Sequence, residues 1–437
     1  MDIPWKDRDG FFDDGRKLRI LTAPANKGGC AYYRVISPYA KLAELYPNVV
    51  EIREDLNPLG RFIPGEEKLA QEAGSMWRPN WTFENMKWAD VIVLNNISNY
   101  GGEYTARVVG KAKEFGKFVH YDTDDLLTDL YDEHRLVEIY KEKQLDKITQ
   151  HIYNHSDLVT VTQDKFAQRI KPFCSSMLGV IKNSIDYELP CWRADRNNYR
   201  PSQKGAVRIG WAGGIHHDPD VKVFSGVPHL VNQMVGASKV QWDFYGFPQV
   251  AKEEIWQQKV WHGYKTQLLK GFKKTKNYNI HYALPPDQYG IMYANMDIAI
   301  APLQMNDFND SKSDIKVAEA GRYSVPLVAS NVGCYSDTIT NGKTGYLLDP
   351  EASPREWAKI IADLIKNKAK RESLGANLNS ITDEMFDMNK VVVDRLSMYE
   401  HCFKTTFNPM DNRNDVSESS NQDDRQIDPN QCSPLSD

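Results

Sequence analysis

The chain has 437 residues, 41% of them hydrophobic and 11% aromatic, which exceeds one ordinary core and fits two domains. No run approaches the roughly 20 apolar residues of a membrane span, and the charged start MDIPWKDRDGFFDDGRK lacks the apolar stretch of a signal peptide. The net charge of −5 equals the balance of residues 407–437, which hold seven acidic and two basic side chains, so the neutral body exerts no general pull on phosphate polymers.

Cysteines at 30, 174, 191, 334, 402 and 432 form neither a CxxC pair nor a Cys/His cluster. That argues against a zinc site or a disulfide framework and for a reducing, cytoplasmic setting. Short apolar runs alternate with longer helical stretches, the pattern of an α/β fold with parallel sheets. Strands are expected at 18–24, 49–53, 90–96, 117–122, 157–162 and 177–183, with helices near 31–46, 103–115, 134–154 and 163–171. The polar stretch 190–205 has prolines near both ends and reads as a linker. A second alternation follows, with strands at 207–213, 240–246, 279–284, 297–303, 326–330 and 345–348, and last helices near 353–367 and 384–403. The expected organisation is an N-terminal Rossmann-like domain over 1–189 and the linker, then a second such domain over 206–383. A C-terminal helix over 384–406 and a polar, disordered tail over 407–437 complete it. Two doubly wound units place their ligands beyond the carboxyl ends of their strands.

Four segments carry candidate chemistry. APANKGGCAYYR (23–34) sets Gly28 and Gly29 after the first strand. It lacks the full G-x-G-x-x-G, so a dinucleotide site is disfavoured. KFVHYDTDDLL (117–127) holds a D-x-D that a metal–diphosphate site would use, although Asp124 or Asp125 is also suited to cap a following helix. IGWAGGIHHDPDV (209–221) brings Gly213 and Gly214 after a strand, where the backbone can approach a phosphate closely. His216 and His217 follow, and an ordinary loop role is favoured for them over ligand contact. In 300–348 a strand ends at Pro302, a loop follows, and a helix is expected from Ser311 to Arg322. Lys312, Lys316 and Glu319 then share one helical stripe. Free N–H groups at the helix start beside Lys312 suit a diphosphate, and Glu319 can accept from a ribose diol. A solvated Lys–Glu pair fits the spacing equally well.

The order SVPLVAS (324–330) and NGKTGYL (341–347) resembles the donor-binding region of retaining, family-4-like (group 1) glycosyltransferases of GT-B type. The resemblance extends over about 17–405. It implies a fold of two Rossmann-like, doubly wound domains facing across a cleft. It also implies a nucleoside-diphosphate sugar (UDP- or GDP-linked) as donor substrate, a hydroxyl acceptor, retention, and no metal or other cofactor. Glu319 is similar to the second glutamate of the E-x7-E pair, while Ser311 stands where the first would be and Lys312-Ser313 forms a Lys-Ser version. By the same likeness Gly213-Gly214 opens the second domain. Gly28, Gly29 and Arg34 belong to the acceptor side, and His120 or Asp122 to the reacting centre. Lys182-Asn183-Ser184-Ile185-Asp186 resembles the hinge turn that closes the first domain. Lys312, the helix start and Gly213-Gly214 would neutralise the leaving diphosphate.

Residues 251–276 depart from a minimal fold, with six lysines from 259 onward interleaved with Trp261, Tyr264 and Phe272. Such a segment can grip a polyanion or membrane surface, but an amphipathic helix with its aromatics inward is favoured. Two rivals stay open: transfer to modified bases in DNA, and a non-catalytic sugar-nucleotide-binding protein.

Overall fold

The computed structural model describes residues 5–405 except 6, 60–82, 100, 197–204, 249–254, 271 and 273–274, and the side chains of 255–257 are also outside the description. The expected disordered tail at 407–437 and the middle of the expected linker lie outside the described residues.

Among the described residues, twelve strands form two six-stranded sheets, with every pairing parallel. The first contains β1 (Leu18–Ala23), β2 (Val50–Glu54), β3 (Val91–Asn95), β4 (Phe118–Asp122), β5 (Leu158–Val161) and β6 (Met177–Val180), in the order β2-β1-β3-β4-β5-β6. The second contains β7 (Val207–Ala212), β8 (Val240–Phe247), β9 (Tyr278–Tyr282), β10 (Ile298–Ala301), β11 (Leu327–Ser330) and β12 (Gly345–Leu348), in the order β12-β11-β10-β7-β8-β9. Each matches one expected apolar run. β3 and β4 are buried along their whole length, as strands covered by helices on both faces must be. The direction of winding reverses between β1 and β3 and again between β7 and β10. Crevices of this kind open beyond the carboxyl ends of such neighbouring strands.

Helices take the intervening segments. The helix Pro354–Lys366 shows how locally this is encoded: Ser353 and Glu356 cap its start reciprocally, and Pro354 occupies the first turn, where no N–H is needed. The lysine-rich segment forms a helix, Ile255–Leu269, whose Tyr264 and Leu268 are buried with Phe272 against Trp242 and Phe244. Its described aromatics therefore pack inward.

Three expectations on element placement need correction. The helix expected from Ser311 begins at Ile315 and ends at Arg322. A short separate helix, Asp307–Asp310, precedes it, capped by the Asn306 side chain accepting from the Asn309 amide. The described end of the expected linker is not free chain, since Cys191 and Trp192 are buried against the second domain's core. The segment expected as one C-terminal helix over 384–406 holds instead the end of Lys368–Met385, which packs on Ile315–Arg322, a short helix Met388–Val391, and Val393–Thr405, which returns to the first domain. There Leu396, Tyr399 and Cys402 share a core with Leu18, Ile20, Tyr39 and Phe118.

Candidate functional site

A cavity of about 330 Å³ lies between the two sheets. The turn after β1 contributes Gly29 and Cys30, the turn after β4 contributes Asp124 and Asp125, and the turn after β7 contributes Gly213 and Gly214. The segment after β10 brings Lys312, Ser313, Lys316 and Glu319. All four connections leave the carboxyl ends of strands at or beside the winding reversals, which is why residues far apart in sequence converge here.

Lys312 lies on the turn before the helix, not on its first turn, and faces the first domain. Its Nζ is 3.2 Å from Asp125 Oδ1, with the two side chains 21% and 26% exposed. Burial works against the Lys312 charge, but Asp125 and Asp220 more than offset it and hold its pKa above the ordinary lysine value. The first domain also grips the segment around it. Gln163 Nε2 donates to the carbonyls of Asp310 and Lys312 at 2.8 and 3.0 Å, while Arg169 pairs with Asp307 and Asp310 at 2.8 and 2.7 Å. Ser313 Oγ accepts from Asn183 Nδ2 at 2.8 Å.

One helical turn on, Lys316 donates to the Ala212 carbonyl and stands 5.2 Å from the centroid of the Trp211 ring. Burial lowers its pKa. Glu319 is buried, and its oxygens accept from Tyr33 Oη at 2.8 Å and Tyr293 Oη at 2.6 Å. Tyr33 comes from the first domain and Tyr293 from the second, so this carboxylate joins the two. A carboxylate has about four acceptor positions, which leaves capacity for a diol. The glycines differ in what requires them. A Cβ on Gly213 would run into the Trp211 ring, and one on Gly246 (φ +109°) would lie 2.5 Å from the Gly213 carbonyl oxygen. Gly214 has open space where a Cβ would point.

Asp124 and Asp125 cap no helix, because the next one begins at Val137; they project into the cavity instead. Burial and the neighbouring Asp125 charge raise the Asp124 pKa. For Asp125 burial acts upward, but Lys312 overcomes it and holds the carboxyl below its usual range. Ligand atoms of Cys30, Asp124 and Asp125 lie within 4.8 Å of one another, spacing that a metal ion accepts. The Lys312 ammonium places a positive charge at the same point.

Several expected site residues are elsewhere. Arg34 and Asp122 are fully buried and form a two-point pair, Nε–Oδ1 at 2.6 Å and Nη2–Oδ2 at 2.9 Å. Arg34 also donates to the Ile181 carbonyl and to Asn183 Oδ1. It therefore reaches the cavity only through Asn183 and is not an acceptor contact. His120 is fully buried as well, with Nδ1 2.7 Å from Tyr399 Oη and Nε2 2.7 Å from Thr160 Oγ1. Burial lowers its pKa to about 3. It is sealed under the returning C-terminal helix and stands away from the reacting centre that the resemblance assigned to it. Ser311 is buried with its hydroxyl on the Asp307 carbonyl, and Gly28 lies outside the cavity lining, its amide on Asn26 Oδ1. His217 lines the cavity and bonds Asp220 at 2.8 Å, whereas His216 stacks on His134 of the first domain, centroids 5.9 Å apart. The cavity residues missed from sequence include Cys30, Tyr33, Asp124, Asp125 and Tyr289. Among these only the D-x-D pattern of 122–125 gave a signal.

No helix among the described residues is long and apolar enough to cross a membrane. Residues 264–380 match the family model described as glycosyl transferases group 1. Spore coat protein SA of Bacillus subtilis (strain 168) is 33% identical over 82 residues, 19% of this chain and 22% of that protein. The match therefore spans under a quarter of that relative. Among solved structures, sucrose-phosphate synthase of Thermosynechococcus elongatus aligns over 89% of this chain and 100% of its own, with a TM-score of 0.61 and 14% identity. HepE of Anabaena, solved with UDP and glucose, aligns over 88% and 100%, with a TM-score of 0.56 and 17% identity. The fold is GT-B.

Proposed function

We propose that this chain, which carries a glycosyl transferases group 1 domain within a GT-B fold, transfers a sugar from a nucleoside-diphosphate donor to a hydroxyl acceptor with retention. One observation carries the reading: two lysines, a Gly-Gly turn and a buried glutamate converge on a single cavity between the sheets. Retention rests on the family resemblance alone. UDP is the first candidate nucleotide, because the structurally similar HepE was solved with it, and GDP is the alternative.

The donor's diphosphate lies between the Gly213-Gly214 turn and the lysines 312 and 316. Glu319 accepts from the ribose hydroxyls. As the glycosyl bond breaks, charge builds on the departing phosphate oxygen. Lys312, held charged by Asp125 and Asp220, stabilises it more than it stabilises the bound donor, which is what lowers a barrier. The first domain's turn after β1 faces the acceptor side of the cavity.

Incubating the protein with UDP- and GDP-sugars and assaying released nucleotide and glycosylated product tests this. Removing one stabilising group at a leaving diphosphate costs about 10²–10³ in rate, so Lys312→Ala should fall by that much. Transfer at the wild-type rate by that variant would remove Lys312 from the chemistry, and no turnover of any donor by the wild type would remove the activity.

A further inference from the structure

The cavity's charges are divided between its walls. The second domain supplies both lysines, and the first supplies Asp124 and Asp125. Lys312 stands at the seam, 3.2 Å from Asp125. A sugar attached to a diphosphate is its immediate neighbour. If the diphosphate meets Lys312, the sugar lies within one ring's length of that ammonium, against the two aspartates. Glu319 cannot serve this unit, since it lies inside the helix Ile315–Arg322, beyond Lys312, and is tied to Tyr33 and Tyr293. Ser311 cannot serve it either, because it is buried with its hydroxyl on the Asp307 carbonyl.

Resting on the glycosyl-transfer reading above, we propose that Asp124 and Asp125 form the wall that holds the transferred sugar. They select a neutral, hydroxyl-rich unit and reject one bearing a carboxylate. Carboxylates accept hydrogen bonds from sugar hydroxyls but have no favourable contact with another anion. Charge bookkeeping points the same way. The cavity holds three carboxylates, of Asp124, Asp125 and Glu319, against the two ammonium groups of Lys312 and Lys316. A bound diphosphate adds further negative charge, so nothing remains to compensate an acidic sugar. Two like charges about 5 Å apart at an effective dielectric near 20 repel strongly enough to change a binding constant more than a hundredfold. Rearrangement and solvent reduce this, and a gap of at least about tenfold should survive.

The test is calorimetric titration of the full chain with UDP, UDP-glucose and UDP-glucuronate. GDP, GDP-mannose and GDP-mannuronate replace them if GDP is the tighter nucleotide. Wild type should bind the neutral donor at least about tenfold more tightly than the carboxylated one. Asp124→Asn and Asp125→Asn should each shrink that ratio to about threefold or less, mainly by tightening the acidic donor. These are single-atom replacements at part-exposed sites, and the wild-type ratio stands as a test even if one of them folds poorly. Equal affinity for the two donors in wild type would overturn the proposal, as would a ratio unchanged in both variants, while leaving glycosyl transfer intact. Failure of the wild type to bind either nucleotide would overturn glycosyl transfer itself, and the proposal with it.

Discussion

Strand β4 feeds two polar clusters that lie two residues apart and have opposite uses. His120 and Asp122 end the strand fully buried, and their side-chain polar atoms have fixed partners in Arg34, Thr160 or Tyr399. Asp124 and Asp125, just beyond it, line a cavity, with Asp125 paired to the Lys312 ammonium and Asp124 accepting from Asn96 Nδ2 at 3.0 Å. The first cluster is closed around itself and around the C-terminal helix. The second is short of positive charge and open to a ligand. Polar residues at a strand's carboxyl end thus divide by whether the chain has left the sheet, because a parallel strand is covered on both faces to its last residue.

Breaking the closed cluster should produce the largest effect. Arg34→Met leaves Asp122 buried without its ion pair, which typically costs about 3–5 kcal/mol. Chemical denaturation should show this loss, whereas a change under ~1 kcal/mol would mean that the pair is not structural. Acid should strain the same cluster. The folded pKa of His120, about 3, lies below its ordinary 6.5, so the unfolded chain takes up the proton first. The neutral buried imidazole therefore contributes fully above about pH 6.5, and that contribution fades as pH falls toward 3. At 1.36 kcal/mol per pKa unit, the descent from about pH 6.5 to 4.5 should remove roughly 2–3 kcal/mol. Asp122, held low because Arg34 outweighs its burial, adds a loss of the same sign below its usual range near 4. Stability measured against pH in wild type and His120→Gln should differ in slope across that window, and parallel slopes would count against the assignment.

Smaller effects on folding are expected in the cavity. Tyr33→Phe removes one of two donors to Glu319 and should cost about 0.5–1.5 kcal/mol. Because that bond joins the domains, its loss should also weaken nucleotide binding a few-fold. Unchanged binding would show that Tyr293 alone positions the carboxylate.

What was readable in the sequence follows the same division. All twelve strands were legible, since parallel strands are continuous apolar runs punctuated by Gly, Pro and Asn. That Lys316, Glu319 and Gly213-Gly214 meet at one cleft was legible from their order along the chain. The helix start at Ile315 was not, because Asn306 caps a separate short helix first and the tertiary grip of Gln163 and Arg169 shapes the turn between. Arg34, His120 and Asp122 read as cleft residues because nothing local reveals that Val393–Thr405 returns from the far end of the chain to cover them. Asp124 and Asp125 read either as part of a metal–diphosphate D-x-D or as helix caps, and only the structure shows their turn entering the cavity.

The most direct test measures nucleotide affinity and unfolding free energy together in Asp122→Asn and Glu319→Gln. Asp122→Asn should lose stability while its folded fraction binds UDP or GDP as tightly as wild type does. Glu319→Gln keeps the shape but loses the charge that accepts from a ribose diol, worth ~1.5–3 kcal/mol, so affinity should fall about ten- to a hundredfold, while folding loses about as much as in Tyr33→Phe. Unchanged nucleotide affinity in Glu319→Gln, or lost affinity in a stably folded Asp122→Asn, would contradict the division between a cluster that serves the fold and a cavity that serves the donor.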